Sequence, residues 1–253
     1  MPRGRALLRP ARDFGIAIFA TLTALEVAGT SFSRGFPVDD AWIHMVYGLA
    51  LRTEGSLAYN DGAPATGCTS PLWAVVVALA HLGTGAHGPS LFTSHVLKAI
   101  GIALHATTAV LGARIVDVCA RKEVRFPAST GAGIVVALAP IGAFSAVSGM
   151  EVSLASALLL ATFLAVASRR PRIAGGALGL AIATRPEAVL AVPFVVVASV
   201  LIGIRTREPF GVRLRGTLRL LAVAILPPVF LLARNLRASG RPLPATFYQK
   251  ARA

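Results

Sequence analysis

Long apolar runs recur through this chain at about 14–32, 71–83, 91–118, 128–147, 150–168, 173–184, 187–204 and 217–234, and short basic clusters at 121–125, 169–172 and 205–219 separate several of them. A helix needs ~20 apolar residues to cross the hydrocarbon of a bilayer. The pattern therefore predicts an all-α fold, a polytopic membrane helical bundle of seven or eight apolar segments. It forms a single transmembrane domain over 1–253. Composition agrees: charged residues are 14% of the chain, against ~25% in soluble domains.

The net charge is +14, and 22 of the 25 basic residues are arginine. In a soluble protein that balance would point to nucleic acid. Here the arginines sit in short connections between apolar runs, the arrangement of cytoplasmic loops beside anionic lipid, so no nucleic-acid partner is expected. With Arg121/Lys122/Arg125, Arg169/Arg170/Arg172 and the 205–219 cluster inside, the 36–70 loop, Gly149-Met150-Glu151, Arg185-Pro186-Glu187 and the C-terminal tail lie outside. Arg234, Arg237 and Arg241 in that tail run against the rule. The run from 14 to 32 follows four arginines and is long for a signal peptide, so it reads as an anchor. The 71–83 run spans only ~20 Å as a helix. It is expected to be half-inserted or to lie on the surface.

Residues 33–70 form the first extracytoplasmic loop, the longest polar interval, with four of the eleven acidic residues: Asp39, Asp40, Glu54 and Asp61. Trp42, Ile43, Val46, Leu49 and Ala50 recur at helical spacing, which predicts an amphipathic surface helix over 40–53. Asn60-Asp61-Gly62-Ala63-Pro64 is a turn signal. Cys68 and Cys119 fall on opposite sides and cannot pair. No metal-ligand spacing appears, and a carboxylate pair at the mouth of a bundle points to chemistry at a membrane surface.

Four patches in order carry a resemblance. They are Asp39-Asp40-Ala-Trp-Ile-His44 through Gly67-Cys-Thr-Ser-Pro71-Leu-Trp73, then Ser148-Gly149-Met150-Glu151, Thr184-Arg185-Pro186-Glu187, and Pro242-Leu-Pro-Ala-Thr-Phe-Tyr-Gln-Lys250. Together they resemble the GT-C membrane glycosyltransferases, nearest to bacterial members related to the mycobacterial terminal arabinofuranosyltransferase. The resemblance implies transfer of a sugar from a polyprenyl-phosphate donor to a cell-envelope glycan or lipid acceptor. It implies a multi-pass protein of the inner (cytoplasmic) membrane, with its active site on the extracytoplasmic face. Members are usually longer, so the chain is expected to be the N-terminal part of such a module.

On that reading Asp39 is the preferred base for the acceptor hydroxyl, with Asp40 as base or support; the plainer role of either is a helix cap. Arg185 suits a bidentate grip on the carrier phosphate. Glu187 orients Arg185 or meets a sugar hydroxyl, and Lys250 is a second phosphate ligand. Glu151 and His44 complete the substrate contacts. Trp73 and Tyr47 are read as interfacial anchors. No organic cofactor is expected, and a divalent cation is left open. The alternative is a non-catalytic membrane partner that binds lipid carrier or another subunit. A small-solute transporter is weaker, since only one interrupted region appears where paired ones are usual.

Overall fold

The computed structural model describes residues 3–29, 35–60, 66–85, 87–244 and 248, with side chains from residue 9 onward, and among these it is helical with no strand. The first helix, α1 (Arg3–Ala28), begins well before its apolar run. It is followed by α2 (Asp39–Glu54), α3 (Pro71–Thr84) and α4 (Leu91–Cys119). Ser90 starts α4 by accepting the Thr93 N–H at 3.1 Å, the usual way a serine satisfies an orphan donor of the first turn. The 128–147 run divides into α5 (Arg125–Ala137) and α6 (Pro140–Val147), bent by 52°. Pro140 has no N–H to continue the ladder, so the chain restarts there.

Next come α7 (Val152–Ala167), α8 (Pro171–Thr184), a 3₁₀ turn (Pro186–Ala191) and α9 (Val192–Arg205). The chain continues through α10 (Phe210–Ala224) and α11 (Leu226–Ser239). Proline at the first or second position opens α3, α6, α8, α9 and α11, where its missing N–H costs no hydrogen bond. Among the described residues three helical stretches are long and apolar enough to cross a membrane: Leu91–Cys119, Pro186–Arg205 and Phe210–Ser239. The bent α5–α6 pair makes a fourth. The 71–84 and 152–167 helices are apolar but shorter. Many large apolar side chains face outward, among them Ile141, Leu190, Phe194 and Phe230, each at least two-thirds exposed. Water would not tolerate that surface, and lipid does.

The bundle has two poles. At one, here the basic pole, Arg12 of α1 reaches Asp117 of α4 and Ser129 of α5. At the other, the loop pole, α2 and α3 pack as an antiparallel pair, His81 Nε2 meeting the Met45 carbonyl at 3.3 Å. Trp73 lies beside Gly149, and Thr84 at the far end of α3 still touches Thr93 in the first turn of α4 (Oγ1–Oγ1 3.0 Å). Both ends of α3 thus belong to the loop pole.

The face of α2 differs from expectation. Ala41, His44, Met45, Tyr47 and Gly48 are buried; of the expected stripe Ala50 is buried too, whereas Trp42, Val46 and Leu49 are half-buried and Ile43 is exposed. Small residues at 41 and 48 let α3 approach closely, so packing against α3 outweighs the bulkier stripe that hydropathy selects. The turn over 60–64 falls mostly outside the described residues.

The basic pole is closed by a buried ion network. Arg12 Nη1 and Nη2 donate to the two Asp117 oxygens at 2.9 and 2.8 Å. Its Nε and Nη2 donate to Asp13 Oδ1 at 3.0 and 2.6 Å, and Nη1 also donates to Ser129 Oγ at 2.6 Å. All five guanidinium N–H groups are therefore used. Arg114 pairs with Asp13 from α4. One side chain ties α1, α4 and α5 together.

Candidate functional site

Gly149 has φ +78 and ψ-independent room for no side chain: a Cβ there would overlap the Phe36 ring. The left-handed turn is fixed on both sides. Ser148 Oγ accepts the Met150 N–H at 3.2 Å, and the Gly149 carbonyl accepts the Trp73 indole N–H at 3.0 Å. Trp73 is wholly buried, so it is a structural clamp and not the interfacial anchor its sequence position implies. Gly149→Ala should cost ~1–2 kcal/mol for the backbone alone, with the Phe36 overlap added, and thermal unfolding in detergent should fall accordingly. A melting temperature equal to wild type would show that the turn is not constrained in this way.

The turn delivers Glu151 to the start of α7. Its side chain is buried, and two other elements converge on it. His44 of α2 brings Nε2 to 3.2 Å from Oε2. Arg185, at the end of α8, brings Nε to 3.6 Å from Oε1 and to 3.7 Å from Glu187 Oε2. Burial opposes the charge on Glu151, but the His44 ring, its own backbone N–H and the Arg185 charge outweigh it, so its pKa is lowered. The group is a carboxylate at neutral pH.

Glu151 Oε2 is partnered by His44 Nε2 at 3.2 Å, whereas His44 Nδ1 is buried without a hydrogen-bond partner. Native interiors rarely leave such an atom unpaired. Both carboxylates approach Arg185 only through Nε, at distances too long for a hydrogen bond. Its two terminal amines have no partner among the described residues.

Of the residues expected from sequence, His44, Glu151, Arg185 and Glu187 come together, although up to 143 positions separate them in the chain. Asp39 and Asp40 open α2, both exposed. Asp40 stands one helical turn before His44, ~5–6 Å between Cβ atoms, and Asp39 stands one turn before Trp42 and Ile43. Lys250 lies outside the described residues. Cys68 and Cys119 are both free, as expected from their placement. Burial pushes the Cys68 thiol up to about 11, which keeps it protonated and unreactive.

Arg234 of α11 carries no role in the sequence reading; its Nη1 donates to Asn235 Oδ1 at 3.1 Å, and Asn235 Nδ2 in turn donates to the Pro242 carbonyl at 3.2 Å. The only signal was that it breaks the positive-inside pattern. Among the described residues no group of three or more His, Cys, Asp or Glu stands together as a metal site would require.

No protein-family model, curated protein or solved structure matches this chain. The site must therefore be read from its own chemistry. A fixed anion, a histidine with a spare nitrogen and an arginine with two spare amines sit at one pole of a membrane-type bundle, beside an exposed carboxylate. Cavities of about 290 and 370 Å³ lie elsewhere, at the basic pole and between α3 and α4.

Proposed function

We propose that the chain is an integral membrane glycosyltransferase of the GT-C kind, moving a sugar from a polyprenyl-phosphate donor to a cell-envelope glycan or lipid acceptor. The observation that carries this reading is the convergence of the buried Glu151 and His44 with the partly exposed Arg185, which leaves His44 Nδ1 and the terminal amines of Arg185 without a partner among the described residues. Such groups suit a ligand bearing hydroxyls and a phosphate. Asp40 takes the proton of the acceptor hydroxyl as its oxygen attacks the anomeric carbon. The bond from that carbon to the phosphate oxygen breaks, with inversion, and the departing phosphate is held by Arg185. Glu151 and His44 orient Arg185 and bind sugar hydroxyls.

The helix order supports seven passes: α1, α4, α5–α6, α7, α8, the 3₁₀ turn with α9, and α10–α11, with α2 and α3 kept at the loop pole. The arginine connections then all face the cytoplasm, and the loop pole faces outward from the inner (cytoplasmic) membrane. Arg185 and Glu187 keep 41% and 69% of their side chains exposed, which favours a second reading: a membrane partner that completes its site with another segment or subunit.

The test is sugar transfer from a synthetic polyprenyl-phosphate donor by purified protein. Arg185→Ala should raise the apparent KM for the donor, because it removes a contact made in both ground and transition states. Donor bound as tightly by the variant as by wild type would remove Arg185 from the phosphate role. Bound donor with no transfer in wild type would favour the partner reading.

A further inference from the structure

At the basic pole, α7, α8, α9 and α10 enclose a cavity of about 290 Å³ that the proposed reaction does not use. Arg169, Arg170, Arg215 and Arg219 line it, with Val166 and Leu220 as apolar wall. Glu208 is the one acidic group there, and its charge is already committed. Arg169 Nε donates to Glu208 Oε1 at 2.8 Å, a second amine pairs with Oε2, and Nη1 donates to the Ser199 carbonyl at 3.2 Å. Arg170, Arg215 and Arg219 have no acidic partner among the described residues. A second cavity of about 260 Å³ adjoins, sharing Arg170 and Arg219 and adding Arg172.

Four unpaired guanidinium groups thus surround two adjoining hollows. Arg215 and Arg219 stand one turn apart on α10, where like charges repel and are relieved only by an anion. Arginine matches phosphate oxygens through paired N–H groups. The outer face of the same helix presents Leu214 and Leu218, both exposed, which suits acyl chains beside the charged hollow. Glu151 begins α7 and Arg169 follows its end. The two places are therefore separated by the length of a 16-residue helix, ~24 Å.

We propose that this hollow binds the phosphate headgroup of an anionic lipid, one molecule held by Arg170, Arg215 and Arg219, at the membrane face opposite the Glu151 cluster. The shared chemistry is a phosphate, and the lipid source is favoured by the adjoining apolar face. The site is concave and specific, distinct from a diffuse attraction of arginines to the surface.

The experiment uses the full chain in nanodiscs of phosphatidylcholine, titrated with phosphatidylglycerol, and native mass spectrometry to count retained lipid. Arg215→Gln/Arg219→Gln should weaken retention of phosphatidylglycerol about tenfold, the loss of one charge-assisted contact or more. Arg121→Gln/Arg237→Gln removes the same charge from exposed positions elsewhere and should leave retention unchanged. Gly216 lines the cavity and faces open space, so Gly216→Leu fills the hollow without changing charge and should also weaken retention. Equal loss in both double variants, or full retention in Arg215→Gln/Arg219→Gln with folding intact by thermal melt, overturns the proposal. Inorganic phosphate binding that depends on Arg215 and Arg219, with no such dependence for phosphatidylglycerol, overturns the lipid assignment. Failure here leaves the transfer assay untouched, because none of these residues touches the Glu151 cluster.

Discussion

Asp40→Asn should abolish sugar transfer while leaving donor affinity close to wild type. The substitution keeps the size of the side chain and removes the proton acceptor; no cap is at stake, because Val38 stands at the N-cap of α2 with no side-chain cap bond. A positioned general base contributes ~10²–10⁴-fold, so turnover should fall by that factor with little change in KM. Asp39→Asn should do less, since His44 lies one helical turn (i+4) from Asp40 and five positions from Asp39. The measurement is initial rate against donor concentration for both variants. Equal activity in Asp40→Asn and wild type would sink the mechanism, and a larger loss in Asp39→Asn would restore the sequence preference.

The second large effect lies at the other pole. Arg12→Met should destabilise the fold by ~3–5 kcal/mol, because it strands Asp117 as a buried charge without its partner. Domain stabilities are commonly ~5–15 kcal/mol, so the loss is a large share of the total. Replacing both partners, Arg12→Met with Asp117→Leu, should recover much of it, since no buried charge is then left alone. Arg114 still pairs with Asp13 in both variants. Thermal melts in detergent decide the matter: a double variant no more stable than Arg12→Met would mean that the bidentate pair is not the source of the cost.

The two poles differ in how much of them sequence could reveal. The helices around the loop pole were legible because turn residues bound them: 40–53 becomes Asp39–Glu54 and 71–83 becomes Pro71–Thr84. The cluster of His44, Glu151, Arg185 and Glu187 was named from the patches that carry the family resemblance; Arg185 and Glu187 also stand at a break between apolar runs, where charge is costly without purpose. The Arg12 network left no trace in the pattern. Its members are separated by 105 and 117 positions, and Arg12 reads as one more flanking arginine. The count of spans suffered from the same blindness to packing, since runs of 14 to 16 residues become complete helices only when neighbours cover their ends.

The aromatic clamp around Gly149 makes the chain its own optical probe. It contains two tryptophans, and both belong to the loop pole. Trp73 is buried against the Gly149 carbonyl, and Trp42 meets the Phe36 ring edge-on at 5.2 Å, the same ring that closes on Gly149. Intrinsic indole emission therefore comes entirely from the end of the molecule that holds Glu151, with no background from the basic pole. A donor that tightens the 149–151 turn would shift that emission directly, so occupancy of the outer site could be followed without a label while lipid exchange at the arginine hollow stays spectroscopically silent.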